Sequence, residues 1–334
     1  MRFLTALLSL LSTLHCLAQP SKLIWEDNFD SKELNTTFWS YETGTGLNGN
    51  WGTGQIDRAT DRKKNVDIKF GVKGAEGGAL MIATRLDFPE NRDYSSGRVN
   101  TKGKASWGPG HRIAARVYPE GVRHGGQGFA FWMMPDEEPE GANNIMWPQG
   151  GEIDIMEYVG SIPHHNLGGV HYAWLWSNNE WRDGNHGHKG AYYSFETGQV
   201  PEVNPSYTTE TADKDDPTTG HSGFHVYGID WYQDRIEFFV DDKVYHIHHL
   251  NDGAAFKEDG EDELQVLEQD GRRVAHSEYS NHFPEWHPFE KKMFVILSAG
   301  VGGSDQTYGG PIVRQSRFPC RVYVDWVRVY ELEE

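Results

Sequence analysis

Three carboxylates stand close together in Trp147-Pro148-Gln149-Gly150-Gly151-Glu152-Ile153-Asp154-Ile155-Met156-Glu157-Tyr158. The alternation from Glu152 to Ile155 has the two-residue period of a strand, so Glu152 and Asp154 share a face. Glu157 lies three positions beyond Asp154, and in a regular strand it would point into the opposite layer. A β-bulge at Ile155-Met156 absorbs one residue and returns Glu157 to the first face. Glu152 and Glu157 then stand about four strand steps apart, roughly 13 Å between Cα atoms. Side chains leaning toward each other bring the two carboxyl groups to about 5 Å, the separation of a retaining glycosidase and too short for the water of an inverting one. One carboxylate must be ionised to attack a sugar carbon, and the other protonated to help the leaving oxygen depart. Three acids on one face cannot all ionise cheaply, so at least one pKa is expected to rise. The competing reading is a strand whose charges merely face water. It requires aligned like charges, which destabilise a strand, opposite a face buried by Ile153, Ile155 and Met156.

The elements that must position these residues are short alternating strands separated by Gly, Asn, Asp and Pro, without long amphipathic helical patterns. Residues 112–117 place Ile113, Ala115 and Val117 on one face. Arg235–Val240 alternates, turns at Asp241-Asp242 and resumes over residues 243–247, which reads as a hairpin. Near the end, Val322, Val324 and Trp326 oppose Tyr323, Asp325 and Val327. Strands at this spacing predict an all-β jelly-roll sandwich of two antiparallel sheets with an open substrate cleft. Two polar stretches, 178–223 and 251–288, are too long for ordinary strand connections and read as rim loops. They either shape a cleft or are solvated insertions.

The first eighteen residues carry Arg2, an apolar run from Phe3 to Leu14 and Cys16-Leu17-Ala18, the pattern of a removable signal peptide. Residues 1–18 are therefore expected to be cleaved and 19–334 to form one catalytic domain, secreted to an extracellular or periplasmic space. The apolar run is too short to span a bilayer, and His15 disfavours a lipid anchor on Cys16. Cleavage would leave Cys320 as the only cysteine, so packing must replace disulfides. A net charge of −18 argues against nucleic acid as a partner. It also works against a highly sulfated glycan unless the cleft is locally basic. Nothing calls for an organic cofactor, and a monomer is expected. His186/His188 and His246/His248/His249 lack a cysteine or carboxylate at metal-site spacing, so they read as solvated faces rather than zinc ligands.

The Gly-Glu-Ile-Asp-Ile-Met-Glu run resembles the active-site strand of glycoside hydrolase family 16, which reads Glu-x-Asp-x-x-Glu. The resemblance covers nearly the whole chain after residue 18 and is strongest to the laminarinase (endo-β-1,3-glucanase) branch. It includes Trp25-Glu26-Asp27-Asn28-Phe29, the stretch from Ser96 to Gly103, Gly128-Phe129-Ala130-Phe131-Trp132-Met133, and Tyr323 to Tyr330. It implies Glu152 as nucleophile, Asp154 as its helper and Glu157 as acid/base. It further implies a polysaccharide or oligosaccharide substrate, most simply a β-1,3-glucan of laminarin type. Arg98, Trp132, Trp147 and His171 match substrate-binding positions, although either tryptophan alone could be core. Asp325 matches a carboxylate that holds a structural calcium in many members, with Asn28 departing from the common Glu beside it. Ser298 replaces a common Asn, and Gln127-Gly128-Phe129 replaces a common Trp-Pro stretch. These departures leave open the same chemistry on agar, porphyran, carrageenan or mucin poly-lactosamine, and a non-catalytic carbohydrate-binding homologue.

Overall fold

Runs of β-branched and aromatic residues favour a pleated, half-buried surface, and in the computed structural model they pair into two stacked sheets. The structure describes residues 22–333 except 89–92, 137–146, 148–149, 173–175, 178–179, 182–187, 209–212, 214–215, 251–264, 268–271, 277–287 and 305–306. The expected signal segment and His186 lie outside the described residues. Among those described, no helix is long and apolar enough to cross a membrane.

The seven-stranded sheet runs His188–Ser194, His165–His171, Glu152–Val159, Gln127–Pro135, Met293–Val301, Arg98–Asn100 and Ser40–Tyr41, all neighbours antiparallel. The twelve-stranded sheet carries Gly78–Phe88, Cys320–Glu331, His111–Tyr118, His225–Trp231, Arg235–Val240 and Lys243–His249 through its middle. One hydrophobic core lies between them. Phe129, Phe131, Ile153, Met156 and Val170 of the first sheet meet Ile113, Val117, Ile229 and Phe238 of the second. The jelly-roll expectation holds, with two exceptions to antiparallel pairing. Lys243–His249 runs parallel to Arg273–His276, and Asp57–Ala59 runs parallel to Asp93–Ser96.

The predicted hairpin is present, Arg235–Val240 pairing with Lys243–His249 through a turn with φ 52° at Asp241. Elsewhere pairing overrides the local pattern. The polar stretches contain edge strands as well as loops. His188–Ser194 closes one side of the first sheet, and Gln265–Leu267 with Arg273–His276 closes one end of the second. Their short, mixed compositions carry no clear alternation. The expected solvated face at His246 and His248 is also corrected, because both are fully buried. Their strand lies between two others, so His246 packs on Phe238 at 5.1 Å and His248 on Tyr172 at 5.7 Å as flat core rings. In Cys320–Glu331 the alternation is right only as far as Val324. A bulge between Val324 and Trp326 reverses the faces, sending Val327 and Val329 into the main core and Trp326 into a small cluster on the other side.

Arg112 and Asp230 face each other from adjacent strands, Nε–Oδ1 2.6 Å and Nη2–Oδ2 2.7 Å, both buried. Removing one partner strands the other charge in the interior. Asp230→Ala should therefore cost about 3–5 kcal/mol, read as a lower denaturation midpoint. A loss within experimental error would show that Arg112 finds water or another partner.

Candidate active site

Glu152–Val159 is the third strand of the smaller sheet, with neighbours on both sides. On one side Asp154 pairs with Trp132 and Met156 with Phe131, so Ile155 has no partner of its own. On the other side Asp154 pairs with Gly169 and Glu157 with Leu167, three residues against two. The bulge therefore lies where the acid spacing requires it. Ile153, Ile155 and Met156 enter the core, each no more than 1% exposed, while Glu152 and Glu157 are half-buried on the face they share with Asp154. Gly151 sets the strand's entry with φ +78°. A Cβ there would also come within 2.9 Å of Pro288, so only glycine fits without strain.

The electrostatics divide the acids. Burial is the largest cause raising the pKa of all three. For Glu152 and Glu157 the Asp154 charge adds to it. Glu152 has support for its ionised form: the Trp147 indole donates from Nε1 to Oε2 at 2.5 Å, and His171 stands nearby. Glu157 has no such donor among the described residues; its remaining influences are the charges of Asp154 and Glu152, which both raise its pKa. Asp154 is 3% exposed and bonded to Glu152, with His171 Nε2 3.3 Å from its Oδ2. Burial lowers the pKa of His171, so its imidazole is held toward the neutral form. The arrangement favours a proton on Glu157 and one proton held between Glu152 and Asp154, in a hydrogen bond that raises the pKa of Glu152 and lowers that of Asp154.

The sequence-predicted substrate residues gather around this trio. Trp147 is 49% exposed and its ring sits 5.5 Å from His171, so it belongs to the surface of the site and not to the core. Trp132 is half-buried and donates from Nε1 to Ser298 Oγ at 3.1 Å. Ser298, noted as a departure, is thus what orients that ring. Arg98 lies between two indoles, 4.8 Å from Trp132 and 4.7 Å from Trp51, with Nε bonded to Glu42 at 2.6 Å. Trp51 and Glu42 were missed. The signal for Trp51 was the glycine-rich run from Gly44 to Gly54, in which positive φ at Gly46 lets the Trp51 ring lie against its backbone, whereas Glu42 carried none.

Glu152, Asp154 and His171 have ligand atoms within 4.8 Å of one another, the one such group among the described residues. Its carboxylates already bond each other and Trp147. The calcium expected at Asp325 does not fit the residues as placed. Asp325 is buried and accepts the Glu76 N–H at 2.9 Å and the Arg116 guanidinium. Asn28 accepts from Arg328, which also pairs with Glu26 and Glu76. Guanidinium groups thus occupy Asp325 Oδ2 and Asn28 Oδ1, two of the side-chain oxygens that a calcium ion would draw on. Asp325 acts here as an ion-pair partner.

Residues 45–259 match the family described as Glycosyl hydrolases family 16. The chain is 30% identical over 318 residues to the beta-glucanase of Rhodothermus marinus, covering 94% of this chain and 86% of that one. It is 28% identical over 321 residues to the glucan endo-1,3-beta-glucosidase A1 of Niallia circulans, covering 92% of this chain but spanning only 38% of that longer protein. Among solved structures, the laminarinase from Rhodothermus marinus superposes with a TM-score of 0.62 at 28% identity, covering 95% of this chain and all of that one.

Proposed function

The chain belongs to glycosyl hydrolase family 16, an O-glycosyl hydrolase family, and from that premise we propose that it cleaves internal linkages of a β-1,3-glucan with retention. The observation that carries the reading is the bulge at Ile155, which aligns Glu152, Asp154 and Glu157 on one face. The names of its relatives support the glucan. In the first step Glu157 gives its proton to the glycosidic oxygen while Glu152 attacks the anomeric carbon, so the C–O bond breaks and a glycosyl ester forms. In the second, Glu157 takes a proton from water, and the water oxygen displaces Glu152 at the same carbon. Asp154 holds Glu152 in line. Trp147, Trp132, Arg98 and His171 border the donor part of the chain, where flat rings suit the apolar face of a sugar.

Digestion of laminarin beside lichenan, agarose, porphyran, carrageenan and mucin glycans tests the substrate. Oligosaccharides released from laminarin first and fastest are expected. Turnover confined to a galactose-containing glycan would replace the glucan with that sugar, and binding without products would make the chain a lectin. Secretion is tested separately, by finding the protein outside the cytoplasm with its first eighteen residues removed.

Trp147→Phe keeps a flat ring but removes the N–H that supports ionised Glu152. Its kcat should fall by on the order of tenfold or more. The acid limb of its pH profile should move upward, because an anion that loses a donor binds its proton more tightly. An unmoved acid limb would detach Trp147 from Glu152.

A further inference from the structure

The register of the acidic strand brings an imidazole into the same space as two of its acids. Glu152 and His171 are direct partners on neighbouring strands, and Asp154 follows Glu152 two residues later on the same face. Gly169, the residue opposite Asp154, has no side chain to fill the gap between Asp154 and His171. One imidazole nitrogen and two carboxylate oxygens thereby converge, all within 4.8 Å of one another. Paired strands, unlike loops, hold such a constellation in a fixed geometry.

Converging acids alone make no metal site, and what points to a ligand here is Asp154. It is 3% exposed, and its buried Oδ2 has no hydrogen-bond partner, although buried polar atoms are usually paired. That oxygen stands 3.3 Å from His171 Nε2. Zinc binds imidazole nitrogen and carboxylate oxygen at about 2.0–2.1 Å, so two such ligands on one tetrahedral ion lie about 3.3 Å apart. The two atoms are thus already spaced as neighbours in a zinc coordination shell. Glu152 supplies a third ligand by a small rotation.

We propose that Glu152, Asp154 and His171 form a reversible inhibitory site for a divalent first-row transition metal ion of the zinc class. Three protein ligands leave the fourth position of a tetrahedral ion to water from the cleft. The ligand set discriminates. Calcium takes six to eight oxygens and magnesium demands octahedral oxygen geometry, whereas an imidazole with carboxylates suits zinc and its neighbours. Two positive charges also offset two carboxylates that are costly to bury ionised. Glu152 and His171 are only half-buried, which gives the ion its way in. Once bound, it holds the lone pairs with which Glu152 would attack, so ion and glycan exclude each other. That exclusion rests on the proposed glycan hydrolysis, and the binding of the ion does not.

Cobalt(II) is the probe, because a four- or five-coordinate ion absorbs visible light far more strongly than the aqueous ion. Titrated into the full chain without a histidine tag, it should produce that band and saturate at one ion per chain, and zinc should abolish the band. His171→Ala should weaken cobalt binding by at least about 100-fold, beyond the ~10–100-fold lost with an outer-shell partner. Asp154→Asn keeps the side chain's shape but not its charge. It should weaken binding by about tenfold or more, and it decides the matter if His171→Ala does not fold. His225→Ala removes an imidazole on the larger sheet, paired with Asp241 at 2.9 Å, and should leave the titration unchanged. No band in the wild type, or a band undiminished in both His171→Ala and Asp154→Asn, would overturn the site. Zinc should also inhibit laminarin hydrolysis competitively, with EDTA restoring the rate, and inhibition that excess laminarin does not relieve would overturn the exclusion. A cobalt band in protein that cleaves no glycan would uphold the metal site and overturn the glucan reading alone.

Discussion

Glu152→Ala is expected to lose glucan hydrolysis by at least about 10⁴-fold, as removal of a nucleophile does elsewhere, and to regain part of it with added azide. The regained product should be the α-azide. Truncation opens a space on the face opposite the leaving oxygen. Azide entering there forms its bond to the anomeric carbon as the C–O bond breaks, while Glu157 still supplies the proton. Glu157→Ala should respond differently. It can still form the glycosyl ester from a β-fluoride, which needs no proton to leave, and azide then displaces Glu152 to give the β-azide. The contrast follows from the surroundings of the two acids, since Trp147 donates to Glu152 and no described group donates to Glu157. The anomeric configuration of each azide product, read by NMR, checks it. Exchanged configurations would exchange the roles.

Glu157→Gln should remove the alkaline limb of the pH–rate profile along with about 10²–10⁴ of the rate, the usual size of general acid–base catalysis. Burial and the charges of Asp154 and Glu152 raise the pKa of Glu157. The wild-type alkaline limb should therefore lie well above the ~4.3 of a solvated glutamate. The same shift has a consequence for stability. A carboxyl whose folded pKa exceeds its unfolded value binds its proton more tightly when folded. Its favourable contribution is complete below the unfolded pKa and is lost as pH rises through the folded one. Glutamine has no proton to lose. The melting temperature of Glu157→Gln should thus exceed that of wild type at about pH 8, with the difference shrinking toward about pH 4. A difference of the same size at both values would mean that the group does not titrate within the fold. Because the three acids interact, both limbs belong to the cluster rather than to single residues.

The parts of the site that were legible are those written in local spacing. Acids at 152, 154 and 157 break the strand period at one place, and the apolar residues 153, 155 and 156 break it at the same place. Both irregularities are removed by one inserted residue, so the bulge could be located before any pairing partner was known. The hairpin at Asp241-Asp242 was legible for the same reason.

Other features depended on partners far along the chain. Val322 to Val327 alternates cleanly in sequence, yet a bulge against His111–Tyr118 reverses its second half. Asp325 looks like any strand carboxylate in the sequence, and the guanidinium it meets, that of Arg116, lies 209 positions away. His246 and His248 look polar until a strand pairs on each side of theirs and closes them in. The approach of Arg98 to the Trp51 and Trp132 rings likewise draws on segments that share no spacing. By itself, then, the sequence determined the all-β class, the bulged acidic strand and its three carboxylates, because side-chain direction in a strand follows from residue count alone. How far each acid's pKa is raised and which groups surround Asp325 were decided by the tertiary structure. Burial and charge proximity are set by packing between strands, and no local period encodes it.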